Sequence, residues 1–301
     1  PHEPLRRQRQ MCIRDRYFAM KAVGLNKSST VLCPAFSYVA TAGAIRRLGA
    51  DIRFVDTDEN GNIGDWGIMG LPNAIVYVNM FGNPADYDRL RQYCDKHHIP
   101  LIEDAAQSQG ATHNKVPSGA MGDVSVFSFD PMKNMPSFGG GGMVLTDSEE
   151  VYDTVVSLRR HGISGKDKYG YNSIISEDHA NQLILLLSKF DRLQSMRAKV
   201  CKRYEKNMPE VQMLCAGPGT KSSHHKLVVL SDRRDELKAY LETKGIETKI
   251  HYTKTLDTQN IGKYTNAETI CAKALSLPIY PHLKMTEIDY ICDKIKEFLY
   301  V

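Results

Sequence analysis

No stretch of the 301 residues approaches the eighteen or so apolar positions of a helical membrane span. There is no C-x-x-C, and the seven cysteines, Cys12, Cys33, Cys94, Cys201, Cys215, Cys271 and Cys292, are dispersed and odd in number. That argues against a disulfide framework or a zinc site and for reduced thiols, as in a cytosol. Neither sign of charge dominates: 39 basic residues against 35 acidic ones leave +4, so no basic face points to nucleic acid. The small positive balance still suits a phosphorylated ligand. No G-x-x-x-x-G-K-[ST] accompanies the four glycines at 139–142, which removes a P-loop. The basic opening residues lack an apolar h-region and are no secretory signal.

What is present centres on residues 100–147. Leu101-Ile102 leads into Glu103-Asp104, and Val124-Ser125-Val126-Phe127 leads into Ser128, with Lys133 five positions later. Met143-Val144-Leu145 resumes after the glycines. Upstream, 40–48 reads as helix, 52–55 and 74–78 as strands, and 85–97 as an amphipathic helix. Such alternation predicts an α/β fold with a mainly parallel sheet covered on both faces. In such sheets ligands sit beyond the carboxyl ends of the strands, where Asp104, Ser128 and Lys133 would converge. An acid, a hydroxyl and a lysine suit pyridoxal phosphate, whose aldehyde takes a lysine and whose pyridine nitrogen takes a carboxylate. Each residue alone has a plainer reading: a solvated lysine, a helix-capping aspartate, a glycine turn. Their joint spacing points to the cofactor.

The run E-D-A-A-Q at 103–107, followed by S-F-x-x-x-K at 128–133, glycines and an apolar strand, resembles the DegT/DnrJ/EryC1/StrS group of sugar-nucleotide aminotransferases. The resemblance extends from about Tyr17 to the C-terminus. It implies the type I fold of pyridoxal-phosphate transferases, with Lys133 and Asp104 as the catalytic pair. It also implies Gln107 and Ser128 as cofactor contacts, Ser128 holding a phosphate oxygen. Tyr38, in P-A-F-S-Y-V-A-T at 34–41, would stack on the pyridine ring. Asn172, in G-Y-N-x-x-x-S-E, would reach the cofactor phosphate of a neighbouring subunit, making a homodimer with shared active sites. Residues 250–257 resemble an I-H-Y-P-x-P-L-H loop bordering the substrate, which implies His251 and Tyr252 as substrate contacts; Thr253 and Asp257 depart from it. The implied substrates are a keto sugar nucleotide and an amino donor, usually glutamate. Two alternatives remain. One is a sugar-nucleotide dehydratase of the same fold, against which Lys133 counts because such relatives carry histidine there. The other is a non-catalytic fragment that binds the cofactor or a sugar nucleotide.

Met11-Cys12-Ile13-Arg14-Asp15-Arg16 reads like the translation of an adapter used in sequencing libraries, so 1–16 is expected to be a non-native or disordered tail. The family's G-T-x-A helix start, whose amides bind the cofactor phosphate, is not found in residues 1–30, so the chain is expected to be N-terminally truncated. The expected layout is a large cofactor-binding α/β domain at 17–188, a connecting helix at 189–210 within a helical run at 183–208, and a small α+β domain at 211–301. Within the last, 227–230 and 246–250 read as strands, and 232–244, 267–274 and 287–299 as helices. No metal site is expected. Cys94, His97 and His98 read as a helix end, and His224 and His225 as structural residues on opposite faces of a strand.

Overall fold

A computed structural model describes residues 11–65, 70–163, 169–259 and 262–300. Residues 1–10 of the expected tail, and the 164–168 part of the polar loop before Asn172, lie outside these. The chain runs α1 (Met11–Ala22), β1 (Thr30–Pro34), α2 (Val39–Leu48), β2 (Asp51–Val55), β3 (Ala74–Val78), α3 (Tyr87–His97) and β4 (Leu101–Asp104). The short β5 (Thr112–His113) and β6 (Val116–Pro117) precede β7 (Val124–Ser128) and β8 (Gly142–Leu145). Three helices follow: α4 (Glu149–Arg159), α5 (Glu177–Leu187) and α6 (Phe190–Asn207). The chain closes with β9 (Thr220–Lys221), β10 (Leu227–Leu230), α7 (Arg234–Thr243), α8 (Thr265–Lys273), β11 (Ala274–Leu277) and α9 (Met285–Leu299).

The main sheet has the order β2-β1-β3-β4-β7-β8, parallel throughout except for the antiparallel edge β8. β3, AIVYV, is buried at every position, as a central parallel strand covered on both faces must be. Alternate residues feed two cores. Val31, Val76, Ile102 and Val124 pack with Ala19, Met20 and Ile45 of α1 and α2, while Leu32, Ile75, Tyr77 and Leu101 pack with Leu90 and Cys94 of α3. All the parallel strands therefore end on one side, and Asp104 and Ser128 are the last residues of β4 and β7.

Met11–Arg16, within the expected tail, are helical as the first turns of α1, with Arg16 buried. Two other expectations are corrected. The helical run at 183–208 is two helices, because Ser188 turns its hydroxyl back onto the Leu185 carbonyl (2.8 Å) and α6 restarts at Phe190. Residues 246–250 form no strand. β10 pairs instead with β11, whose ALSL is wholly buried, and Lys249 joins Ser276 only by an isolated bridge. The C-terminal core gathers Val200, Cys201 and Tyr204 of α6 with Leu237 and Leu241 of α7 and Ile288, Ile291 and Ile295 of α9. In α6 these three recur at helical spacing, so one face of that helix belongs to this layer.

Candidate active site

The end of β4 presents two carboxylates to opposite faces of the sheet. Asp104, only 2% exposed, accepts from Arg16 at both oxygens: Nε to Oδ2 at 2.6 Å and Nη2 to Oδ1 at 2.7 Å. Thr41 Oγ1 donates to Oδ2 (2.7 Å) and the Ala106 amide to Oδ1 (3.3 Å). Thr41 itself lies in the first turn of α2, whose start is Tyr38, with no side-chain cap. Arg16 comes from α1, which lies along the same face of the sheet.

The other expected residues sort into three groups. Gln107 accepts from the Phe81 amide (3.0 Å) and donates to the Tyr252 hydroxyl (3.3 Å). Tyr252 sits edge-on to Phe36, with centroids 5.1 Å apart. Burial pushes the Tyr252 hydroxyl well above its ordinary value; the Gln107 bond opposes this, and the negative charge of Asp104 and the nearby Tyr38 phenol add to it. Asp104, Gln107, Tyr38 and Tyr252 therefore share one neighbourhood. Ser128 accepts from the Asp130 amide through its hydroxyl (3.4 Å), and its carbonyl accepts from Gln109 (2.7 Å).

Lys133 belongs to a second group, a cluster of cations. Its charge, with those of Lys226 and Lys249, adds to the burial that holds the His251 imidazole down at about 4. Burial and then Lys133 lower Lys226 to about 8. His225 is fully buried and kept neutral by burial, with Lys133 and Lys226 adding to that. The turn carrying Lys133 is anchored next door, where Asn134 Nδ2 donates to the Ser223 carbonyl at 2.8 Å. His225 and His224 are not on a strand. They lie just before β10, where His224 takes the left-handed conformation at φ 51°. Lys226, Lys249, His251, Met132, Tyr280 and Tyr290 line a cavity of about 650 Å³.

Asn172 stands apart: it is exposed, and its carbonyl accepts from Arg14 of α1 (2.9 Å). Asp257, one of the departures from the family loop, staples its own segment by accepting from the Gly262 amide (3.0 Å) and the Tyr264 hydroxyl (3.1 Å). Cys94 lies in the α3 core, while His98 ends that helix in the left-handed conformation, so the three residues of that helix end do not converge.

Against the donors that pyridoxal phosphate requires, the lysine, the aromatic ring and the hydroxyls fit. The carboxylate at the same strand ends is Asp104, which receives two hydrogen bonds from Arg16, one from Thr41 and one from the Ala106 amide. The sequence reading missed Arg16 because it set that segment aside. Thr41 was visible as the last residue of P-A-F-S-Y-V-A-T. Lys226 and Lys249 carried no local signal, since only the fold brings them to Lys133.

The model of the DegT/DnrJ/EryC1/StrS aminotransferase family matches residues 17–296. The "Pleiotropic regulatory protein" of Geobacillus stearothermophilus is 33% identical, over 94% of this chain and 82% of its own length. The dTDP-3-amino-3,4,6-trideoxy-alpha-D-glucose transaminase of Streptomyces venezuelae is 30% identical, over 93% of this chain and 79% of its own. Among solved structures, S. venezuelae DesV in complex with a ketimine intermediate superposes with a TM-score of 0.91 at 29% identity, covering 96% of this chain and 83% of that one. With its parallel sheet and strand-end site, and with the family model matched along nearly its whole length, the chain belongs to the DegT/DnrJ/EryC1/StrS aminotransferase family.

Proposed function

We propose that the chain is a pyridoxal-phosphate aminotransferase transferring an amino group, from glutamate, to a keto sugar carried on a nucleotide, as in surface-polysaccharide or amino-sugar biosynthesis. The observation that carries this reading is the grouping at the carboxyl ends of β4 and β7, where Asp104 and Ser128 end neighbouring strands and Gln107, Tyr38 and Tyr252 gather near Asp104, beside the Lys133 cluster. When bound, the cofactor supplies an electron sink for bonds at the amino-bearing carbon. Lys133 is the residue that would carry it, Tyr38 would face its ring, and Ser128, Gln107 and Asn172 would contact it. A lysine released from the cofactor is the group suited to hold or move a proton at the reacting carbon.

The cations Lys226 and Lys249 around the 650 Å³ cavity support an anionic substrate such as a nucleoside diphosphate sugar. His251, held neutral, lines it, and the Tyr252 ring lies 6.1 Å from the His251 ring. A relative named as a dTDP-amino-sugar transaminase supports the same class. Exposed Ile184, Leu185 and Leu187 on α5, with Met143 and Tyr152, support a homodimer. Separate apolar cores support a large unit at 17–188 and a small one at 211–301, joined through 189–210.

The test is an absorbance titration with pyridoxal phosphate, then borohydride reduction and peptide mapping. Covalent label on Lys133, absent from Lys133→Ala, is expected. Label spread over surface lysines, or none at all concentrations, would sink the reading. Glutamate-dependent amination of dTDP- and UDP-keto sugars then identifies the substrate.

A further inference from the structure

We infer that Asn134 is a positioning residue for Lys133: it ties the turn carrying that lysine, through a directional chain of side-chain amides, to α6 and to the segment at 222–226. The inference deepens the Lys133 role proposed above and rests on it.

The turn closes on itself through its backbone, the Lys133 amide donating to the Asp130 carbonyl and the Ser137 amide to the Phe129 carbonyl, each at 2.9 Å. One residue beyond the lysine, Asn134 is 8% exposed and reaches three partners that lie 60, 89 and 91 residues away in sequence. Its Nδ2 donates to the Ser223 carbonyl (2.8 Å) and to Gln194 Oε1 of α6 (3.3 Å), so both amide hydrogens are engaged. Oδ1 is then the acceptor that faces His225 Nδ1 (3.3 Å), and the imidazole must carry a proton on that nitrogen. Burial keeps His225 neutral, with Lys133 and Lys226 adding to that, so the Nδ1–H form is the one in place.

The remaining links point the same way. Gln194 Nε2 donates to the Gln109 carbonyl (2.9 Å), and Gln109 Nε2 donates to the Ser128 carbonyl (2.7 Å). The chain therefore begins at His225 and ends on the strand terminus from which the Lys133 turn departs.

Its anchor is fixed as well. Ser223 donates its amide to the Gly82 carbonyl and its hydroxyl to the Gln107 carbonyl, both at 2.9 Å, and the Lys226 amide donates to the Phe81 carbonyl (3.1 Å). Gly82, at φ 97°, has no room for a β-carbon, which would collide with Ser223 Oγ. A turn tied to Ser223 is thus held in register with Gln107, which lies beside Asp104. Removing the Asn134 amide would strand buried partners and free the turn to shift. Capture of the cofactor needs the Lys133 amine to meet the aldehyde carbon, forming a C–N bond and releasing water, and a misplacement of about 1 Å can cost such a step on the order of a hundredfold.

The experiment compares the full chain with Asn134→Leu, which keeps an apolar side chain of similar size and removes every hydrogen bond, and with Gln194→Leu. Each is titrated with pyridoxal phosphate and with 4-deoxypyridoxine phosphate, which has no aldehyde and binds without a covalent bond. Borohydride labelling of Lys133 is the second readout, and circular dichroism is the folding control. Expected in Asn134→Leu is at least about tenfold weaker binding of pyridoxal phosphate, with less than about threefold change for the deoxy analogue. Gln194→Leu should show a loss of the same kind, and it carries the comparison should the Asn134 variant not fold. Nitrogen NMR of the cofactor-free unaltered chain should find the His225 proton on Nδ1. Equal losses with both probes would show that Asn134 only supports the pocket as a whole, and would overturn the inference. Unchanged binding in both variants, or a His225 proton on Nε2, would overturn it too, and with Lys133 labelled in the unaltered chain would leave the site reading standing. Absence of Lys133 label from the unaltered chain would overturn both.

Discussion

On one face of the main sheet, the Glu103 carboxylate takes five uncharged donors. Asn79 Nδ2 (2.9 Å) and Ser118 Oγ (2.6 Å) bind Oε1, while the Gly119 amide (2.9 Å), the Met121 amide (3.2 Å) and Ser125 Oγ (2.8 Å) bind Oε2. On the other face its neighbour Asp104 takes a cation. Both carboxylates are buried, and they differ in what each face can deliver. The Glu103 side is closed by its own loop at 118–125, so that carboxylate works as a structural hub. Burial raises its pKa, and the four hydrogen bonds from Ser118, Ser125, Gly119 and Met121 oppose that rise. The Asp104 side is filled from a helix 88 residues away in sequence. Two carboxylates one residue apart are thus satisfied by neutral donors on one face and mainly by a distant cation on the other.

The largest effect is expected from Glu103→Ala, which strands several buried donors at once and costs about 3–5 kcal/mol. Urea unfolding measures it, and a loss below about 1 kcal/mol would mean that the donors find other partners. Asp104→Asn is expected to cost roughly 3 kcal/mol through the uncompensated Arg16 charge. Arg16→Leu in the same chain should recover more than half of that, whereas no second change near Glu103 should rescue its loss. Independent, additive effects in that double-mutant cycle would deny the coupling.

Next in size is Asp15, beside Arg16 on α1. Its Oδ2 is shut away without a hydrogen-bond partner, and burial raises its carboxyl from 3.8 to about 7, against the pull of Arg16 and Arg14. The folded chain therefore holds a proton that the unfolded chain releases at lower pH, so stability falls as pH rises from 3.8 to about 7 and is level above. Asp15→Asn should flatten that slope and stabilise the chain by roughly 1–4 kcal/mol at pH 8, read from thermal melts. An unchanged slope would show that Asp15 is solvated.

The smallest effect separates two kinds of cation. Arg16 keeps its charge at every accessible pH, whereas Lys226, lowered to about 8, does not. Affinity for uridine diphosphate should fall a few-fold between pH 7 and 9.5 and not in Lys226→Ala, while the coupling of Asp104→Asn with Arg16→Leu should be unchanged over the same range. A coupling that fades with pH would show that Arg16 is not the cation that holds Asp104.

Much of the sheet was legible in the sequence. The apolar runs at 74–78 and 227–230 are β3 and β10, and the helix read at 40–48 is α2. The strand ends carrying Asp104 and Ser128 were legible for the same reason, since the switch from apolar to polar residues occurs within each strand. The pairing of β10 was not, because 246–250 alternates Ile246, Thr248 and Ile250 with Glu247 and Lys249 as a half-buried strand would, and period alone does not rank it against the short β11. The break between α5 and α6 was also hidden, since Leu183 through Met208 keeps helical spacing across Ser188.

By itself, the order of residues determined the α/β class, the strand ends and the joint spacing of Asp104, Ser128 and Lys133, since these follow from local periodicity and the reach of short loops. Only the tertiary structure decided that neutral donors close on Glu103, that Arg16 sits on Asp104, and that Lys226 and Lys249 join Lys133. Those outcomes depend on which distant elements pack together to bury their apolar faces, and a charge carried on such an element arrives wherever that packing takes it.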